Sequence, residues 1–231
     1  MMEILKPDPS WFEIDPEFYR HGGSCLNPAE AEGMDVRPGQ AILVAPAGNG
    51  EEALSFANLG AAVTLLDNSH SLAGSRRLAA GSGISVSFAE GDPQDPAAIF
   101  GEEAFDAVYT PWGTLDALPM FDHWAGSMAR VLRPGGRLVA YDRHPVSSVG
   151  AVHKGLFVVG RSYFHDDHDD GRAWTLGDLV SSLGAEGLAT MLLEEFPGSD
   201  RFSTPLDRLG LRWDIRWRLP GAMLLVAIRV R

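Results

Sequence analysis

Five short apolar segments between residues 41 and 141 restrict the fold of this chain most. Each is closed by glycine, proline or an acid, and most lead into a stretch of helical character. Residues 41–45 are apolar without interruption, as expected of a strand buried on both faces of a parallel sheet. They break into Pro46-Ala47-Gly48-Asn49-Gly50, and a helix is expected over 51–59. A second strand at 62–66 ends on Asp67 and precedes a helix at 71–80. A third, 84–89, stops at Glu90-Gly91-Asp92, and a fourth, 105–109, stops at Thr110-Pro111-Trp112-Gly113. Phe121, Trp124, Met128, Val131 and Leu132 recur at near-helical spacing, which predicts a helix over 120–132 with one apolar face. Arg133-Pro134-Gly135-Gly136 ends it, and a fifth strand follows at 137–141.

Strands alternating with helices imply parallel pairing through right-handed crossovers. A helix at 176–184 and strands at 190–196 and 222–230 complete the pattern, the last strand antiparallel. The expectation is an α/β fold: a Rossmann-like, mostly parallel seven-stranded sheet with an antiparallel last strand and helices on both faces. Residues 1–35 read as an N-terminal arm or lid. Residues 36–231 read as the main domain, carrying an insertion at 145–173 that forms a hairpin or lid.

Composition narrows the function. Thirty-one acidic residues against 19 basic ones give a net charge of −12, and the arginines are scattered. Such a field repels a phosphate backbone, so no nucleic-acid partner is expected and a small molecule fits better. No apolar run approaches the ~20 residues that span a bilayer, and no signal peptide is visible. Cys25 is the only cysteine, so neither an intrachain disulfide nor a cysteine zinc cage is available. A cytoplasmic protein without a membrane partner is expected, and a homodimer is possible.

The candidate site lies at the C-terminal ends of consecutive strands, where open α/β sheets bind ligands. Gly48 and Gly50 let a ligand approach the backbone, and the helix after them offers free N–H groups. Asp67, ending strand two, can accept both hydroxyls of a ribose. Asp92, ending strand three, can accept a bond from an adenine amino group. Ala47, Asn68, Pro93 and Thr110 flank these positions and complete the expected cofactor-binding set. Together they point to a nucleoside-containing cofactor.

These segments, with Leu132-Arg133-Pro134-Gly135-Gly136 before strand five, resemble the class I S-adenosylmethionine-dependent methyltransferases. The resemblance covers residues 38–145 well and the rest in outline. It implies that S-adenosyl-L-methionine is the cofactor, with Gly48 and Gly50 at its methionine end, Asp67 on the ribose and Asp92 on the adenine. It also implies methyl transfer, and with the acidic composition and the aromatic-rich segments around the site a small organic acceptor, methylated at O, N or C, is expected. Two positions depart: Val44 and Pro46 stand where the family carries an acid and a glycine. The cofactor's amino group then needs another partner, and Pro46 removes a backbone donor.

Further residues carry weaker expectations. His144, just past strand five, is the candidate catalytic base, since an imidazole there could take an acceptor proton. His165-Asp166-Asp167-His168-Asp169-Asp170 has metal-ligand chemistry but reads as a solvated loop, so no metal is expected. Trp11, Phe12, Trp112, Phe157, Tyr163 and Phe164 are expected around a moderately apolar acceptor pocket. Two rival readings stand beside methyl transfer. One is a binding module of the same fold with a degenerate site. The other is a nicotinamide-dependent oxidoreductase, for which Pro46 and Glu51 occupy positions that want glycine.

Overall fold

The computed structural model describes residues 15–119, 121–153, 156–160, 162–164, 174–197 and 219–230. Its elements run α1 (Pro16–Arg20), α2 (Pro28–Met34), β1 (Ala41–Val44), α3 (Glu51–Asn58), β2 (Ala62–Asp67), α4 (Ser69–Ser82), β3 (Ser87–Glu90), α5 (Ala97–Phe100), β4 (Phe105–Thr110), α6 (Phe121–Val131), β5 (Leu132–Arg143), β6 (Gly150–His153), β7 (Leu156–Val159), α7 (Leu176–Ala185), β8 (Leu188–Phe196) and β9 (Ala222–Arg229). Seven strands form one sheet in the order β3-β2-β1-β4-β5-β9-β8. The first five are parallel, and β9 is antiparallel to both of its neighbours. The expected architecture is present, including the single reversed strand.

Burial explains the pairing. Ile42, Leu43 and Val44 of β1 are wholly inaccessible, as a central strand covered on both faces must be. One face packs on α6 and α7 through Trp124, Met128, Leu179 and Leu183. The other packs on α2, α3 and α4 through Met34, Ala53, Phe56 and Leu72. A side chain of this size contributes roughly 1.5–3 kcal/mol when fully buried, so the two layers carry much of the stability.

The underside of the sheet accounts for the Arg-Pro-Gly-Gly turn. Residues 133–136 form a bulge within β5, because Phe105 pairs with Leu132 and Ala107 next pairs with Arg137. Gly135 has φ +76°, and a Cβ on Gly136 would lie 2.8 Å from the Arg133 carbonyl oxygen and 3.0 Å from that of Asp106. Arg133 reaches Asp106 at 2.5 Å, and the same carboxylate accepts the Ala41 N–H at 2.8 Å. Burial pushes the Asp106 carboxyl up, but Arg133 and the Ala41 N–H hold it below the usual range. The turn thus locks the starts of β1, β4 and β5 together.

Most element ends fall within two residues of the sequence reading, and three larger differences stand out. Strand three starts at Ser87 rather than residue 84, strand five spans the bulge, and the short α5 was not foreseen. From Asp15 onward the expected arm is packed on the body. Pro16 would touch a Cβ on Gly81 at 3.1 Å, and Gly33 of α2 sits against Val226 and Leu224 of β9. Within the stretch expected as an insertion, β6 and β7 pair as a two-stranded antiparallel sheet. Trp11, Phe12 and the tract 165–170 lie outside the described residues. Among the described residues no helix is long and apolar enough to cross a membrane.

Candidate functional site

The upper ends of β1, β2, β3 and β4 are joined by hydrogen bonds into one rim. The Ala47 N–H, in the bend after β1, donates to Asp67 Oδ2 at 3.1 Å. The Gly91 N–H, after β3, donates to the Asp67 carbonyl at 3.0 Å, and the Ala45 N–H donates to the Tyr109 carbonyl at 3.1 Å. Ala47, Asp67 and Gly91, one residue before Asp92, are therefore brought together at this rim.

Gly48 and Gly50 do different work in the bend. Gly48 is exposed with φ +53°, and a Cβ there would meet only Pro111 Cγ, at 4.0 Å, so space lies open above it. Gly50 caps α3 with φ +89°, and a Cβ there would come within 2.9 Å of Ser75 Cβ. Gly50 permits α3 to pack on α4, and Gly48 leaves room for a ligand. Ser75 Oγ donates to the Gly48 carbonyl at 3.0 Å and fixes the bend from below.

Asp67 is buried to 6% exposure and partly engaged. Its Oδ1 accepts the Asn68 N–H at 2.8 Å and Asn68 Nδ2 at 3.1 Å. A carboxylate offers about four lone-pair sites, and these contacts with the Ala47 bond use three. The open capacity is on Oδ2. One ribose hydroxyl has a vacant acceptor here, and a second must share Oδ1. Asn68 also caps α4, accepting the Ser71 N–H at 3.0 Å, so it is exposed but fixed.

Asp92 is exposed, with Oδ1 accepting the Gln94 N–H at 2.9 Å in a tight turn beside Pro93. Thr110 is fully buried at the tip of β4, and its hydroxyl finds no hydrogen-bond partner among the described residues. An open bend, a half-used buried carboxylate and an exposed acid in sequence along the rim fit an adenosine with an amino-acid tail. Val44 is buried among apolar side chains and offers no carboxylate there.

Further along, His144 is placed differently from the base expected. It is buried, its Nδ1 accepts the Val146 N–H at 3.1 Å, and its Nε2 lies 2.7 Å from Glu195 Oε1 on β8. Because Nδ1 accepts, the neutral ring carries its proton on Nε2. Neither nitrogen then offers a lone pair to an acceptor. Burial lowers the His144 pKa, and Glu195 opposes that shift. In this arrangement the ring ties the end of β5 to the edge strand, and proton abstraction would require the Val146 bond to open.

Two features escaped the sequence reading. Trp112, Tyr141 and Phe196 form an aromatic row on the β4–α6 loop, β5 and β8, with ring centroids 5.6 and 6.1 Å apart. Only Trp112 was foreseen, because the other two looked like ordinary strand residues. Asp142, next to Tyr141, is completely buried and accepts three backbone N–H groups. The available signal was an acid ending an apolar strand. Phe164 is exposed, and the Tyr163 hydroxyl accepts the Leu176 N–H at 3.2 Å.

Residues 42–136 match a family described as a methyltransferase domain. A crystal structure of an S-adenosylmethionine-dependent methyltransferase from Mesorhizobium loti superposes with a TM-score of 0.66 at 23% identity, covering 87% of this chain and 96% of that one. A structure titled for conversion of a disulfide bond into a thioacetal group during echinomycin biosynthesis gives 0.60 at 24%, covering 87% and 82%. The [4+2]-cyclase SpnF gives 0.61 at 20%, covering 87% and 78%. At these identities the likeness concerns the fold. No curated protein matches.

Proposed function

We propose that this chain is a class I S-adenosylmethionine-dependent methyltransferase that transfers the cofactor's methyl group to a small organic acceptor at this rim, a reading supported by the match of residues 42–136 to a methyltransferase domain. The observation that carries this reading is the Ala47–Asp67 bond, which sets the open glycine bend beside a buried carboxylate with spare acceptor capacity. Asp67 takes a ribose hydroxyl, Asp92 faces the adenine, and the bend around Gly48 accommodates the amino-acid tail. Ala47, Asn68, Pro93 and Thr110 complete the surroundings.

When bound, the cofactor supplies an activated methyl group, so that an acceptor lone pair forms a bond to carbon while the carbon–sulfur electron pair returns to sulfur. The chain has to align the acceptor with that methyl group and exclude water. The loop after β4 and the row Trp112–Tyr141–Phe196 offer an apolar wall for this task. With His144 Nδ1 accepting from Val146 and the ring proton on Nε2, the acceptors that fit best are nucleophiles that shed their proton to water. The net charge of −12 supports a small molecule over a nucleic acid.

A second reading is a binding or non-methylating protein on the same fold, and Val44 and Pro46 in the bend motivate it. One experiment separates the two. The protein is titrated calorimetrically with S-adenosylmethionine and S-adenosylhomocysteine, then incubated with the former and a panel of phenols, carboxylic acids and amines. The proposal expects binding and a methylated product by mass spectrometry. Binding without product supports the non-methylating reading, and no binding to either compound removes the cofactor reading altogether.

A further inference from the structure

The least expected chemical group in the molecule is the Asp142 carboxylate. It is entirely buried, and burial pushes its pKa up to about 6 against the bonds it accepts from Leu115, Gly113 and Arg143. Oδ1 accepts the Gly113 N–H and its neighbour Arg143 N–H, both at 2.6 Å, and Oδ2 accepts the Leu115 N–H at 2.8 Å. Two of these donors belong to the loop between β4 and α6, so one side chain on β5 fixes that loop at two points. Gly113 needs φ +85° to present its N–H, and a Cβ there would lie 3.3 Å from an Arg143 nitrogen.

The loop is braced from outside as well. Arg143 Nε lies 3.3 Å from Asp116 Oδ2, Trp174 Nε1 donates to Asp116 Oδ1 at 3.0 Å, and Thr114 Oγ1 donates to the Pro111 carbonyl at 2.6 Å. At its start the loop reaches the glycine bend, where Pro111 is the nearest neighbour of the open position over Gly48. At Trp112 it meets the aromatic row. It therefore stands between the proposed cofactor bend and the proposed acceptor wall.

We propose that Asp142 is the positioning residue of this site, its ionised carboxylate holding the Pro111–Leu118 turn where cofactor and acceptor meet. The inference rests on the function proposed above. An ionised carboxylate accepts all three N–H groups. A protonated one presents an O–H, and one loop bond is lost. The neighbouring titratable groups are Asp116, whose charge raises the Asp142 pKa further, Arg143, and His144 with Glu195 at the adjoining strand ends.

The test compares wild type with Asp142→Asn between pH 7.5 and 5. Hydrogen-exchange protection is read at the Gly113 and Leu115 amides, referenced to the β9 amides of Leu224 and Leu225, and S-adenosylhomocysteine affinity is read by calorimetry. In wild type, loop protection and affinity should fall together as pH drops through about 6. Asp142→Asn should bind roughly tenfold more weakly, with no dependence on pH in that interval. Equal affinity and an equal pH profile in the two proteins would overturn the proposal. So would loop amides that stay protected in wild type at pH 5, a readout that needs no variant to fold. Absence of binding by wild type at every pH would remove the proposed function, while the loop amides would still report on Asp142's hold.

Discussion

Asp142 and His144 sit two residues apart and pull the pH dependence of stability in opposite directions. The Asp142 pKa is raised from 3.8 to about 6, so the folded protein binds its proton more readily than the unfolded chain. Its contribution to stability is greatest at low pH and declines as pH rises from about 4 to about 6. The His144 pKa is lowered from 6.5 by burial, so its contribution is present above 6.5 and is lost as pH falls through the lowered value. Asp142→Asn removes the gain on acidification, and urea midpoints between pH 6 and 4 should then fall more steeply than in wild type. His144→Gln should make that acid loss shallower. Identical slopes in all three proteins would contradict both assignments. In the glycine bend, Gly50→Ala should cost roughly 1–3 kcal/mol through its left-handed backbone and the 2.9 Å approach to Ser75. The same change at Gly48 meets backbone strain alone, so its larger effect should be on S-adenosylhomocysteine affinity.

At the scale of elements, the turn feeding β5 makes a sharp prediction. Gly136→Ala places a methyl group against two backbone oxygens, and neither can yield as a side-chain end would. A cost of about 1–3 kcal/mol is expected, measured as a shift in the denaturation midpoint with an unchanged slope. Thr175→Ala should cost about 1 kcal/mol by removing the cap on α7, where Thr175 Oγ1 accepts the Asp178 N–H at 3.1 Å. These elements also show why much of the fold was legible. β1 and β2 are mainly apolar runs that give way to turn-forming residues, Pro46 after β1 and Asn68 after β2, and α6 repeats its apolar residues on one face. The start of β3 was misjudged because Ile84 and Val86 are apolar without being paired in the sheet. At the site, Asp67 was legible because it ends a strand, a local fact. The engagement of His144 by Glu195, 51 residues later in the chain, and the grip of Asp142 on Gly113 and Leu115 are tertiary contacts. No spacing in the sequence announces them.

For the whole molecule, the sheet order β3-β2-β1-β4-β5-β9-β8 puts the glycine bend, both rim acids and the β4–α6 loop along one edge. Binding there links to global stability: a ligand at a hundred times its dissociation constant stabilises the fold by about 2.7 kcal/mol. S-Adenosylhomocysteine should accordingly raise the thermal midpoint of wild type in a concentration-dependent way. The most direct measurement is a calorimetric titration of S-adenosylhomocysteine into wild type and Asp67→Ala, each first shown to unfold cooperatively. The account predicts clear binding by wild type and a loss of at least about tenfold in the variant, because the ribose hydroxyl loses the buried carboxylate proposed to accept it. Equal affinity in the two proteins would contradict it.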